Sequence, residues 1–222
     1  MCGRYLLSYD LSKILEELAK QWKDINTDEI KNYNPSYNIA PFQTVYVLAE
    51  DNHSIRVKKY KWGVPYSNFN MINTKSESII EKKKNIINDF KPCLILSNGF
   101  YEWKKEGIKK TPFLFSFEDF SMFYFLGIYR KLKDEEYCSI LTTKPSKVVK
   151  DIHHRMPVIK RETNKKEWLS QNLKSINTLD LFEPFSDNSF NKYQVSTFVN
   201  STSNNSPKCI EPYKDSQLNF FN

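Results

Sequence analysis

The strongest constraint on the fold is a series of short, aromatic-rich segments in the middle of the chain. They cover residues 92–97, 100–104, 112–117, 122–129 and 137–142. Their β-branched and aromatic content is typical of strands. Many strands with interspersed helices favour one α+β domain with a largely antiparallel sheet or barrel core and flanking helices.

Weaker patterns surround these segments. Residues 11–22 place apolar side chains on one face at helical spacing, and Asp10 or Ser12 is a suitable N-cap. Further strands are predicted at 44–49, 55–62 and 192–199, and short helices at 76–88, 145–150 and 164–172. The sequence contains no repeat and no long linker, so we expect one domain over residues 1–222, with the tail after about residue 213 loosely held.

Length, composition and charge narrow the class of protein. The 222 residues suffice for one domain with a real core, and 40% hydrophobic residues exclude a disordered chain. The formal net charge of +7 favours a polyanionic partner such as nucleic acid. The longest apolar run, residues 122–129, is too short to span a bilayer, and the amino terminus lacks a secretory pattern. We therefore expect a cytoplasmic protein with no membrane partner.

The four cysteines form neither a disulfide framework nor a zinc motif, because they lie far apart without a C-x-x-C pair. We expect Cys93 and Cys138, which lie in strand-like segments, to be buried as small apolar residues. No metal or organic cofactor is indicated, and nothing in the sequence requires more than a monomer.

Cys2 has the most specific chemistry. Removal of Met1 would leave an α-amine and a thiol on adjacent carbons, with ordinary pKa values of about 8 and about 8.5. Such an aminothiol reacts with aldehydes: the amine forms an imine, and the thiol then closes a five-membered thiazolidine ring. A cysteine at the start site can also be incidental, so this interpretation depends on the residues that follow.

Several further segments combine polar groups suited to a site. They contain Pro41, Trp62, Asn73 with Lys75, Glu102, and His153 with Arg155. Glu102 lies within an aromatic strand, where it is either solvated at an edge or buried with a raised pKa that suits proton transfer. Trp62 is suited either to stacking on a base or to packing. A histidine pair such as the one that begins at His153 is either structural or catalytic.

Taken together, these segments resemble the SOS-response-associated peptidase (SRAP) family, whose members process abasic sites. The resemblance runs from Met1 to about Pro212. The motifs, in family order, are MCGR, YNIAP, WGVP, NTKSE, GFYEW, ILTT, HHRMPVI, VSTFVN and CIEP. The combination is specific, although any one motif alone would be weak.

The resemblance implies capture of an abasic-site aldehyde in single-stranded DNA as a thiazolidine cross-link. Cys2 would be the nucleophile, Glu102 the acid and base, Asn73 the amide that holds the sugar and the amino terminus, and His153 the imidazole near the sugar oxygen. The expected DNA contacts are Arg4, Arg155, Lys75, Trp62 and Pro41. The family also implies a bacterial, nucleoid-associated protein of the DNA damage response, acting where single strands and single-strand/double-strand junctions carry the lesion.

The sequence departs from the family motifs at two places, and two other functions remain possible. Lys75 stands where the family usually has arginine, which removes bidentate phosphate geometry, and residues 95–98 replace a usual Pro-Ala segment. The alternatives are a peptidase with an amino-terminal cysteine nucleophile, including self-removal of Met1, and a non-covalent single-strand-binding module.

Overall fold

A computed structural model describes residues 2–51, 54–81, 89–161, 165–173, 175–176, 180–185 and 189–214. The strands are β1 Arg4–Leu7, β2 Ser36–Ile39, β3 Thr44–Asp51, β4 Ser54–Trp62, β5 Val64–Tyr66, β6 Phe69–Met71, β7 Asn73–Lys75, β8 Lys91–Ser97, β9 Gly99–Glu106, β10 Lys109–Phe117, β11 Phe123–Leu132, β12 Glu135–Thr143, β13 Met156–Pro157, β14 Ile159–Lys160 and β15 Phe190–Gln194. The α-helices are α1 Leu11–Gln21, α2 Ser76–Ile80 and α3 Lys165–Leu169. None of the described helices is long and apolar enough to cross a membrane.

Five strands form a closed ring at the centre of the molecule. β4, β3, β8, β11 and β12 pair in that order by antiparallel ladders. A short parallel pairing of β12 with β4 completes the ring. Closure leaves these strands without free edges, so the ring is a rigid base for the site.

A second sheet has the order β15-β10-β9-β1-β2 and carries the chemistry-bearing residues at its centre. β1 begins two residues after Cys2, and its antiparallel pairing with β9 sets Arg4 opposite Tyr101. The amino terminus therefore runs alongside the part of β9 that contains Glu102. The α+β fold with a largely antiparallel sheet and barrel core, which the sequence predicts, is confirmed.

Helix α1 forms where the sequence predicts it. The side chain of Asp10 accepts a hydrogen bond from the backbone N–H of Lys13 at 2.9 Å, as an N-cap does. Ile14 and Leu18 are buried on the apolar face. Cys93 and Cys138 are also buried in their strands, as predicted.

Two predicted elements are wrong in detail. Residues 145–150 form turns instead of a helix, because Ser146 O accepts from both Val149 N and Lys150 N and no regular ladder continues. Two adjacent β-branched valines also disfavour a helix there. The strand predicted at 192–199 ends at Gln194, because the Ser196 side chain accepts the N–H of Phe198 and begins a 3₁₀ turn.

The remaining helices are shorter than predicted within the described residues. The helix predicted at 76–88 is present as Ser76–Ile80, and residues 82–88 lie outside the described part of the chain. The helix predicted at 164–172 is present as Lys165–Leu169. The tail beyond residue 214 also lies outside the described residues, so the prediction about it stays open.

Trp62 is a core residue at the end of β4. It is fully buried, and its indole N–H donates to the carbonyl of Ile72 at 2.8 Å. The ring of Tyr5 meets it edge-on at 5.3 Å between centroids. Its ring faces are thus inside the protein, and this placement does not support the predicted stacking of Trp62 on a DNA base.

We predict that Trp62→Ala lowers the free energy of unfolding by about 3–5 kcal/mol, because it leaves a large cavity and an unpaired carbonyl. Urea unfolding measures the loss, and Phe69→Ala, which removes an exposed ring, is the control. Unchanged stability with weakened DNA binding in Trp62→Ala would contradict the packing role.

Candidate active site

The thiol of Cys2 is buried at the start of β1. Its Sγ lies 3.7 Å from the carbonyl of Arg4, and the residue has no exposed surface. Burial, together with the negative charge of Glu102, raises the pKa of the Cys2 thiol far above its usual range. At neutral pH the thiol is therefore protonated and needs a base before it acts as a nucleophile.

Glu102 provides a carboxyl group close to the thiol of Cys2. It is a buried residue of β9 with 4% of its surface exposed. Burial raises the pKa of Glu102 to about 7, and the positive charge of the amino terminus opposes that rise. A carboxyl group with this pKa exchanges protons readily at neutral pH, which is the property expected of a general acid and base.

Asn73 ties the amino terminus to the central barrel. It begins β7, which runs parallel to β12, and its amide nitrogen donates to the carbonyl of Cys2 at 2.7 Å. Its side-chain oxygen is buried and has no hydrogen-bond partner in the part of the chain that the structure describes. The side chain thus fixes the backbone of Cys2 and retains an acceptor next to it.

His153 lies close to Glu102. Its Nδ1 is 4.0 Å from a carboxylate oxygen of Glu102 and 3.1 Å from both the backbone nitrogen and the carbonyl oxygen of Arg155. The ring stacks on His154 at 4.3 Å between centroids. Burial lowers the pKa of His153 to about 4, so the imidazole is neutral at physiological pH.

The structure thus brings together the four residues that the sequence predicts as catalytic. Cys2, Asn73, Glu102 and His153 come from four separate segments of the chain and meet near the start of β1. The cluster contains a thiol, a carboxyl group poised near neutral pH, an amide and a neutral imidazole. Such a set can form, protonate and hydrolyse bonds at a carbonyl-derived carbon.

Arg155 is held inside the protein, in a place that motif analysis alone does not reveal. Its guanidinium forms a two-pronged ion pair with Glu77, at 2.6 and 2.8 Å, and also donates to the carbonyl of Thr142. Because the backbone of Arg155 contacts the ring of His153, these bonds fasten the segment of His153 and Arg155 to Glu77 of helix α2 and to Thr142 of β12. Arg155 therefore holds the segment of His153 in place, and the pairing of its guanidinium within the protein does not support the predicted phosphate contact.

Arg4 is similarly engaged within the protein. One guanidinium nitrogen donates to Asn38 Oδ1 at 2.7 Å and to the carbonyl of Val199 at 2.9 Å. The amide of Asn38 in turn donates to carbonyls of the loop that follows Val199. Arg4 and Asn38 thus attach the VSTFVN segment to β1 and β2. The sequence motifs indicated Arg4 as a functional residue but not Asn38, which lies in the YNIAP motif.

The other two predicted DNA contacts lie at the surface. Lys75 is exposed at the end of β7, two residues from Asn73. Pro41 is half-buried in a turn between β2 and β3, where β2 pairs with β1 through Ile39 and Tyr5. Both remain predicted DNA contacts, and Lys75 offers a cation two residues from Asn73 of the candidate catalytic cluster.

Sequence comparisons identify the family. The model of the family described as SOS response associated peptidase (SRAP) matches residues 1–202. YoqW of Bacillus subtilis, named an abasic site processing protein, is 35% identical in an alignment 233 positions long that covers 96% of this chain and 100% of the relative. YedK of Escherichia coli, with the same description, is 26% identical across 96% of this chain and 100% of its own length. The chain belongs to the SRAP family.

Solved structures support the fold independently. A crystal structure of a protein from Bacteroides thetaiotaomicron matches with a TM-score of 0.76 at 22% identity, covering 96% of this chain and 100% of that one. At this identity the match concerns the fold alone. The sheet arrangement described above is therefore one that solved proteins adopt.

We predict that Glu77→Gln lowers the free energy of unfolding by about 2 kcal/mol near neutral pH, because Arg155 then lacks its carboxylate. The hydrogen bonds from Arg155 hold the pKa of Glu77 at about 2, below its ordinary value, so the wild-type pair stabilises the fold above about pH 4.5. This contribution is lost as the pH falls towards about 2. Urea unfolding of both proteins across this pH range should show that the difference in free energy of unfolding shrinks as the pH falls. A difference that stays constant would contradict the stabilising role of the Glu77 carboxylate.

We predict that Glu102→Gln stabilises the protein at about pH 8 by about 3 kcal/mol, with no difference near about pH 4. The folded-state pKa of Glu102 lies near 7, above its ordinary value, so the wild type must ionise a buried group as the pH rises. Stability is thus lost through that pH, and the glutamine variant avoids the loss. Free energies of unfolding that differ by the same amount at every pH would contradict the raised pKa of Glu102.

Proposed function

We propose that this protein processes abasic sites by capturing the aldehyde of the ring-opened sugar in single-stranded DNA on Cys2. The observation that carries the proposal is the grouping of Cys2, Glu102, Asn73 and His153 around the amino terminus. The named relatives, which are abasic site processing proteins, support the substrate. The product is a thiazolidine that joins the protein to the DNA and shields the lesion.

The reaction requires that Met1 is removed, so that Cys2 carries the α-amine. The amine adds to the aldehyde carbon, and loss of one water gives an imine. The thiol then adds to the imine carbon, its proton passes to the nitrogen, and a ring containing sulfur and nitrogen closes. The balance is one aldehyde and one aminothiol in, and one thiazolidine and one water out. Because both nucleophiles belong to one residue, ring closure has the advantage of an intramolecular reaction.

Glu102 would move the protons in both steps. With its pKa near 7, part of the population carries a proton for the departing hydroxyl group and the rest can accept one from the α-ammonium or the thiol. The raised pKa of the thiol makes this assistance necessary, since a protonated thiol is a poor nucleophile. The amine is thus expected to attack first and the sulfur second.

Asn73 and His153 would hold the reacting groups. The amide of Asn73 fixes the carbonyl of Cys2, and its buried oxygen is available to accept from the α-amine. The neutral imidazole of His153, oriented by the backbone of Arg155, would hydrogen-bond the sugar oxygen released on ring opening. Exposed Lys75 would contact a neighbouring phosphate.

The test incubates tag-free protein, with Met1 removal verified by mass, with single-stranded DNA that contains one abasic site. We expect a band shifted on a denaturing gel with this strand and none with an intact strand. Cys2→Ala should abolish the band, and Glu102→Gln should slow its formation by about a hundredfold. A protein that keeps a blocked α-amine should also give no band.

Controls separate the alternatives. A single-strand-binding module would bind both strands equally, would release them in high salt, and would give no band under denaturing conditions. A peptidase would cleave peptides in a Cys2-dependent manner without forming the DNA adduct. Either pattern, in protein with a free Cys2 amine, would overturn the proposed function.

A further inference from the structure

The backbone is strained at Phe42, in the turn that joins β2 to β3. The N–H of Gln43 donates to the carbonyl of Ala40 at 3.3 Å, and Phe42 has φ of +74°. With Pro41 before it, the turn has the form of a type II turn, whose third position requires positive φ and favours glycine. A bulky residue in this conformation is an outlier, and such outliers concentrate where function requires them.

Packing does not account for the phenylalanine. Phe42 is 61% exposed, the largest exposed fraction among the aromatic side chains of the described residues. Phe120 also has positive φ, but its ring is partly buried against the smaller apolar cluster, which explains it. One edge of the Phe42 ring lies over Gly63, so close that a methyl group on Gly63 would come within 3.2 Å of it. Because Gly63 has no side chain, the ring of Phe42 can lie against its backbone while the rest of the ring stays exposed to solvent.

Two connections join the turn that carries Phe42 to the segments of the candidate catalytic cluster. The N–H of Phe42 donates to the carbonyl of Trp62 at 2.7 Å, and the indole of Trp62 donates to Ile72, the residue before Asn73. On the other side, Ile39 pairs with Tyr5, three residues after Cys2. The turn that presents the ring is therefore connected to the chain segments that contain Asn73 and Cys2.

We propose that Phe42 is a stacking platform for the nucleobase next to the captured abasic site. The inference rests on the proposed function, because it assigns the position of the DNA strand at that site. A flat, exposed aromatic ring binds any base through its π-face, and the lesion itself has no base to offer. Stacking of the neighbour would hold the sugar in place for attack by Cys2, and the strained turn keeps the ring presented to solvent before DNA arrives.

The experiment compares Phe42→Gly, Phe42→Ala and Phe42→Tyr with the wild type on intact single-stranded DNA at fixed salt. We expect the glycine and alanine variants to bind about tenfold more weakly, and the tyrosine variant to bind like the wild type. Ser67→Gly, which removes an exposed positive-φ residue without removing a ring, is the matched control and should leave affinity unchanged.

A fluorescent base reports stacking directly. 2-Aminopurine is placed on the 5′ side of an abasic site in one strand and on the 3′ side in another. If the wild type and Phe42→Tyr quench the fluorescence of 2-aminopurine on one side of the lesion and Phe42→Gly does not, the base on that side stacks on residue 42. Equal quenching by all the proteins would overturn it.

Stability separates a binding role from a structural one. Phe42→Gly relieves the backbone strain that Phe42→Ala keeps, so the glycine variant should have the higher midpoint of thermal unfolding, and neither should fall well below the wild type. Strong destabilisation by both with full DNA affinity would make the ring a packing residue and overturn the proposal. Normal cross-linking by the wild type in that case would leave the proposed function standing, whereas absent wild-type cross-linking would count against the function itself.

Discussion

The site depends on the exclusion of water from the carboxyl group of Glu102, which lies beside Cys2. Glu102 is buried in β9, and burial brings its pKa to about 7, where it exchanges protons under physiological conditions. The same burial keeps the thiol of Cys2 protonated and the imidazole of His153 neutral. One physical cause therefore sets the protonation states of three groups. In water, the same side chains would be an ionised carboxylate and two groups near their ordinary pKa values.

The fold maintains this environment by holding separate segments in place. The closed ring of β4, β3, β8, β11 and β12 carries Asn73 on the adjoining β7, and the second sheet carries Cys2 and Glu102 on adjacent strands. The ion pair between Arg155 and Glu77 attaches the segment that contains His153 to helix α2, which directly follows β7. Because the site has partners on both sheets, small displacements of either would separate the reacting groups.

The sequence predicts much of this arrangement, and the limits have physical causes. The central strands and α1 follow from local apolar patterns, and the site residues follow from motifs whose order matches the SRAP family. Local patterns did not indicate that Trp62 is buried, since an aromatic beside glycine and proline suits a surface turn as well as a core. They also could not reveal that Arg155 is paired with Glu77, because that contact joins residues 78 positions apart. The strain at Phe42 depends on a turn conformation that sequence alone leaves open.

The bonding of the captured carbon tests most directly whether Cys2 forms a thiazolidine with the abasic site. Abasic single-stranded DNA labelled with ¹³C at the aldehyde carbon is mixed with protein that has a free Cys2 amine, and the labelled carbon is followed by NMR. Thiazolidine formation predicts a saturated carbon bonded to one nitrogen and one sulfur, formed without added reductant and absent in Cys2→Ala. A signal that remains an imine, or that stays that of the free sugar, would contradict thiazolidine formation.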